Sequence, residues 1–236
     1  FLPVTKPPYA GVLVPCGHTH NGKAGASYQR ASILLARNGM AALCYDPIDQ
    51  GERQQLPGPE GRRAAGGYGH TFLTVNGMLV GRSSARWWVW DAMRGIDYLQ
   101  SRPDIDPERI GCTGNSGGGT ATAYVMAMDP RIKCAAPSCY FTSLRRLMET
   151  NGVADGEQNL HAQLARGFGH PEFAILRCPQ PTLISVAYRD EYFPIDGAWD
   201  TFRRAKQAYG LQGFPERVDL VEARLPHGFS SPLRVA

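Results

Sequence analysis

The chain has 236 residues, 43% hydrophobic and 19% charged, with a formal net charge of +4. That length and balance allow one substantial core. The basic residues are scattered, which excludes a nucleic-acid footprint, and no apolar run is long enough to span a bilayer.

The apolar run "YAGVLVPC", Tyr9 to Cys16, predicts a first strand, followed by a Gly-rich loop and a helix near Ser27 to Arg37. Asn38-Gly39 ends that helix with a glycine suited to a left-handed cap. "MAALCY" predicts the next strand and runs into the polar loop "DPIDQGERQQLPGPEG". An irregular segment is expected from there to about Gly81. Ser83 or Ser84 then caps a helix through Leu99, in which Ala85, Trp88, Val89, Ala92, Ile96 and Leu99 share one face. Trp87 and Trp90 fall to its sides. Further strands are predicted at Ile110 to Thr113, Ile132 to Ser138, Pro181 to Tyr188 and Arg217 to Ala223. A helix is predicted over Asp196 to Tyr209, with Asp196 as N-cap. The longest insertion, 141 to 177, carries helical patches and reads as a lid. Strands alternating with helices imply a mainly parallel sheet with helices on both faces, whose sites gather at the C-terminal ends of strands.

The six cysteines carry no C-x-x-C and no zinc-like spacing with histidine. Cys44, Cys112 and Cys134 fall inside apolar runs and are expected as buried free thiols. Cys16, Cys139 and Cys178 fall near strand ends, and spacing leaves a Cys139–Cys178 disulfide open.

The stretch "RIGCTGNSGGGTATAYVMAMDP" places Ser116 between a strand end and a small-residue helix. Gly114-Asn115-Ser116-Gly117-Gly118 fits G-x-S-x-G, the elbow that holds a nucleophilic hydroxyl clear of the sheet. A serine needs a base, and the base needs a third group to orient it. Among the histidines after Ser116, His161 reads as part of the insertion and His170 lies in a loop away from any strand end. His227, in "LPHGF", follows the last strand and is the candidate base. "YRDEYFPID" offers Asp190, Glu191 and Asp196. Asp190 comes first after its strand and is the candidate acid, and the loop after the preceding strand offers no carboxylate before Glu149. Gly117 N–H and His18 N–H are the candidate oxyanion donors. His18 and His20 would share a strand face, but no third ligand is near in sequence, so no metal and no cofactor is expected. Tyr140 and Phe141 are expected beside the acyl pocket.

The stretches "VLVPCGHTHNGKA", "YDPIDQGER", "IGCTGNSGGG", "ADGEQN", "RDEYFPIDGA" and "LPHGF" resemble the α/β-hydrolase superfamily, in particular its acetyl xylan esterase-like and dienelactone hydrolase-like carboxylesterases. The resemblance implies an α/β-hydrolase fold in one domain over 1–236. It also implies that two strands ahead of "YAGVLVPC" and a helix after "LPHGF" lie outside this sequence. It implies Ser116 as nucleophile, Asp190 as acid and His227 as base, with His18 at the oxyanion loop. The expected activity is hydrolysis of a short acyl ester, with acetylated carbohydrate as the suggested substrate. Glucuronoyl esterases share the fold but carry a charged residue after the nucleophile, where this chain has Gly117. The competing readings are an amidase or prolyl-oligopeptidase-type peptidase with the same triad, a catalytically inactive binding protein, and a nucleotide-binding module. The last lacks both the P-loop lysine and the G-x-G-x-x-G spacing. Oligomeric state and compartment are not legible.

Overall fold

A computed structural model of the chain describes residues 1–19, 21–56, 67–152 and 154–229. Among the described residues, six strands form one sheet: β1 (Tyr9–Pro15), β2 (Met40–Tyr45), β3 (Ile105–Asn115), β4 (Ile132–Ser138), β5 (Thr182–Arg189) and β6 (Val218–Pro226). Their order is β2-β1-β3-β4-β5-β6 and every neighbouring pair is parallel. Parallel neighbours require crossovers, and these are supplied by α1 (Ala26–Arg37), α3 (Ala85–Ser101), α4 (Gly117–Met128), α6 (His170–Leu176) and α7 (Ile195–Leu211). Two further helices, α2 (Gly67–Leu79) and α5 (Leu144–Thr150), lie within the crossovers.

Strand alternation sends successive side chains to opposite faces. Leu13 of β1 enters the larger core with Ile96, Leu99, Ile110 and Ile132, against residues of α3, α4, α6 and α7. Its neighbours Val12 and Val14 enter a smaller core on the other face, with Tyr28 and Ala31 of α1. The helical face read along α3 is the face that buries, with Ala85, Trp88, Ala92, Ile96 and Leu99 all covered. Each fully buried aliphatic side chain of this set contributes roughly 1.5–3 kcal/mol.

Several boundaries and environments differ from expectation. The helix α2 occupies part of the segment read as irregular. α7 begins at Ile195 with Pro194 at its N-cap, and Asp196 lies inside the first turn, where it pairs with Arg146. The six cysteines are free thiols, so Cys139 and Cys178 are not bridged, and Cys134 is exposed rather than buried. Cys134 faces a groove of about 870 Å³ on the sheet face beside α1, lined also by Leu34, Ala136 and Leu183. The insertion is only partly a lid: in α6, Phe173 and Ala174 are buried in the main core.

Candidate active site

The turn between β3 and α4 carries Ser116 with φ 57° and ψ −124°. A non-glycine residue held there costs about 1–3 kcal/mol, which its surroundings must over-determine. They do so through backbone packing. A Cβ at Gly114 would lie 2.5 Å from the Gly118 carbonyl oxygen and 2.8 Å from that of Pro15, so only glycine permits this approach. Ser116 N–H donates to Ser138 O at 3.0 Å. Gly117 is the first residue of α4, so its N–H has no acceptor inside the helix.

At the C-terminal end of β6, His227 turns its Nδ1 to Asp190 Oδ2 at 2.8 Å. Asp190 follows β5 directly, and its Oδ1 accepts the N–H groups of Tyr192 at 2.9 Å and Phe193 at 3.0 Å. The carboxylate is thus fixed by three donors, with its side chain 1% exposed against 13% for His227. Tyr192 and Phe193 flank the imidazole, with ring centroids at 5.0 and 5.8 Å. The thiol of Cys139 lies close by and donates to Gly228 O. Burial pushes its pKa up to about 12, which keeps it neutral and unreactive.

Ser116 and His227 line one cavity of about 430 Å³, together with His18, Leu147, Asn151, Ala154, Asp155, Gln158, Tyr192 and Phe193. The structure therefore brings Ser116, Asp190, His227, Gly117 and His18 to one place. Tyr140 and Phe141 do not reach it, contrary to the sequence reading. Cys139 takes a positive φ of 48°, and the two rings that follow are 0% and 1% exposed inside the core. There Tyr140 lies against the His170 ring at 4.6 Å and Phe141 against Tyr140 at 5.7 Å.

The residues set aside also have places. His161 is exposed. His170 is buried, and its Nδ1 accepts the Thr142 N–H at 3.1 Å, while burial pulls its pKa down to about 4. The Glu191 carboxylate meets the backbone N–H of His227 at 3.5 Å, and Glu149 pairs with Arg145 and Arg146. His20 lies outside the described residues.

The loop after β1 is tied to the elbow by Tyr28, whose hydroxyl accepts Gly17 N–H at 2.6 Å and donates to Asn115 O at 3.1 Å. On its other side, His18 meets two residues that the sequence reading did not single out, His70 of α2 and Glu157 of the insertion. His18 Nε2 is 2.8 Å from His70 Nδ1 and 3.3 Å from Glu157 Oε1, and His70 Nδ1 is 3.1 Å from Glu157 Oε2. Burial opposes charge on both His70 and Glu157. Their attraction outweighs it, so the His70 pKa is raised and that of Glu157 lowered. Asp155 faces His18 Nδ1 at 3.1 Å, and burial raises its pKa. The motif "ADGEQN" carried the signal for both carboxylates, but nothing in the sequence points from it to His70.

This sheet, with a strained serine on the β3–α4 turn and an Asp–His pair at the ends of β5 and β6, is an α/β-hydrolase fold. The chain matches the prolyl oligopeptidase family over residues 62–212, more than half its length, and belongs to that family; it is a serine hydrolase. It is 28% identical over 230 residues to "Putative hydrolase YtaP" of Bacillus subtilis (strain 168), covering 92% of this chain and 73% of that one. It is 30% identical over 110 residues to a 4-O-methyl-glucuronoyl methylesterase of Sodiomyces alcalophilus, covering 45% of this chain and 20% of that one. Among solved structures it is similar to Methylesterase BT1017, with TM-score 0.75 and 24% identity. That match covers 99% of this chain and 48% of the other, so the chain spans about half the length of that protein. A CE15 glucuronoyl esterase from Caldicellulosiruptor kristjansonii superposes with TM-score 0.69 at 19% identity, over 98% of this chain and 68% of that one.

Proposed function

We propose that the protein is a serine carboxylic-ester hydrolase acting through an acyl-enzyme on short acyl esters, with Ser116, His227 and Asp190 as its triad. The observation that carries the reading is the 2.8 Å contact of His227 Nδ1 with a buried, triply bonded Asp190, in the cavity that Ser116 lines. Asp190 accepts the Nδ1–H, which leaves the Nε2 lone pair free to take the Ser116 proton. Ser116 Oγ attacks the ester carbonyl carbon, and the negative charge on the carbonyl oxygen is met by the N–H groups of Gly117 and His18. His227 returns its proton to the departing alcohol as the carbon–oxygen bond breaks. Water then loses a proton to His227 and attacks the acyl-serine, and His227 passes that proton to Ser116 Oγ as the acyl carbon–oxygen bond breaks and the acid leaves.

The polar lining from Asn151, Asp155 and Gln158 suits an alcohol part rich in hydroxyl groups, which supports acetylated carbohydrate as the substrate class. The name of one similar structure, a "putative acetyl xylan esterase" from Bacteroides fragilis, supports the same class, and those of the glucuronoyl esterases support a carbohydrate ester more broadly. Membership of the prolyl oligopeptidase family favours a second reading, an amidase or peptidase using the same triad.

A fluorophosphonate probe tests the nucleophile. Stoichiometric labelling of the wild type that is lost in Ser116→Ala supports the triad, while no labelling of a folded wild type overturns it. Hydrolysis of p-nitrophenyl acetate, p-nitrophenyl butyrate and acetylated xylo-oligosaccharides, set against a prolyl p-nitroanilide, separates the two readings. Turnover of the anilide alone refutes the esterase.

A further inference from the structure

The three side chains that meet behind the β1 loop are an unusual set to bury without an ion. Glu157 and His70 are 0% exposed, and His18 closes the group on the cavity side. The outer nitrogens of both rings are already committed. His70 Nε2 donates to Ile48 O at 2.9 Å, and His18 Nδ1 faces Asp155 Oδ2 at 3.1 Å. When the rings are neutral, those N–H groups are spoken for and the inner nitrogens, His70 Nδ1 and His18 Nε2, carry lone pairs that a proton or a metal cation can occupy. They face one another and the Glu157 carboxylate, whose buried Oε2 lies 3.1 Å from His70 Nδ1 and makes no hydrogen bond among the described residues. A buried carboxylate oxygen facing ring nitrogens is costly unless a proton or a metal cation sits among them.

We infer that His18 Nε2, His70 Nδ1 and the Glu157 carboxylate form a binding site for one divalent transition-metal ion of the zinc type. The two ring nitrogens are 2.8 Å apart, with His70 Nδ1 3.1 Å from Glu157 Oε2 and His18 Nε2 3.3 Å from Glu157 Oε1. Tetrahedral coordination at metal–nitrogen distances of about 2.0–2.1 Å needs separations of about 3.3 Å, so the rings need move only by about half an ångström. The arrangement around them is that of a metal site: one ligating imidazole backed by a carboxylate, the other by a backbone carbonyl, each fixing tautomer and ring orientation. Two imidazoles select zinc-like ions over calcium and magnesium, which take oxygen donors. Partial exposure of His18 on the cavity wall gives the ion a way in.

The ligands come from three segments, the loop after β1, α2 and the insertion. An ion there would staple the insertion and α2 to the loop that carries the His18 N–H. An ideal Cβ on Gly117 would lie 3.7 Å from Glu157 Oε1 and 3.5 Å from the Gly17 Cα, so the site abuts the elbow itself. Trp88 seals it, with its ring edge-on to His70 at 5.0 Å.

The test uses the untagged chain after chelation and reads metal binding rather than turnover, so its outcome is independent of the esterase reading. Zn²⁺ is titrated by calorimetry and Co²⁺ by visible absorption. One equivalent is expected to bind, and bound Co²⁺ is expected to show the d–d bands of a low-coordinate site. His70→Asn and Glu157→Gln are expected to abolish that signal. Asp155→Asn alters a partly exposed carboxylate and leaves the core intact, and it is expected to weaken binding about 10- to 100-fold. No binding to the folded chain at millimolar Zn²⁺ would mean a shared proton only and would overturn the inference. Binding unchanged in Asp155→Asn together with a folded His70→Asn or Glu157→Gln would place the ion elsewhere and overturn it equally.

Discussion

Asp190→Asn isolates the tautomer control that the proposed chemistry depends on. In the wild type, Oδ1 accepts two backbone N–H groups and Oδ2 accepts from His227 Nδ1. An asparagine has one oxygen, and two amide donors at 2.9 and 3.0 Å hold it on the backbone side. Its NH₂ group then faces His227 and can only donate, so Nδ1 must become the acceptor and Nε2 the protonated nitrogen. A protonated Nε2 cannot take the Ser116 proton. The expected loss in kcat is about 10⁴-fold, or roughly 5 kcal/mol of transition-state stabilisation at 1.36 kcal/mol per decade. Since the backbone bonds survive, the melting temperature should change little. The assay is p-nitrophenyl acetate hydrolysis under saturation, with circular dichroism to confirm the fold. A loss below tenfold in a folded variant would refute the assignment of Asp190 as the orienting acid.

Three further outcomes follow from other residues. Ser116→Ala should lower kcat by about 10⁶-fold while leaving the fold intact, as read by residual hydrolysis and circular dichroism. Tyr28→Phe strands the Gly17 N–H at a buried position and should cost about 1–3 kcal/mol in urea unfolding, with kcat falling as the β1 loop loosens. An unchanged urea midpoint would show that the hydroxyl does not secure the loop. Burial lowers the His170 pKa to about 4, below the ordinary imidazole value of about 6.5. Between those values the unfolded chain binds a proton that the folded chain refuses, so stability should fall as pH drops from about 6.5 to about 4, by about 3 kcal/mol in all. A folded His170→Gln variant should lose that part of the slope, and an unchanged slope would refute it.

The sheet and the Ser–Asp–His set were legible because their signals are local: an apolar run ending in a turn, with the reactive residue just past it. Ser116, Asp190 and His227 each obey that rule. α2 was not legible because "GYGHTFLTVNGML" holds Gly67, Gly69 and Gly77, which weaken helix propensity, and leaves Phe72, Val75 and Leu79 exposed. Tertiary contacts hold it instead, through His70 on Ile48 and Thr74 on Ser84. His70 could not be joined to His18 and Glu157 because the contacts span long separations without any shared period. Tyr140 and Phe141 were misplaced because one left-handed residue, Cys139, decides which way the chain turns after β4, and no pattern in the sequence announces it.

β6 closes the sheet at one edge and, among the described residues, is paired on one side only, to β5. His227 follows directly on that strand. An edge strand opens at a lower free energy than the sheet it borders. Peeling β6 away would carry off the proton acceptor while Ser116, on the inner strand β3, stays in place. In rising urea, turnover should therefore fail before the sheet melts, which makes enzymatic activity a more sensitive gauge of this molecule's integrity than its circular dichroism.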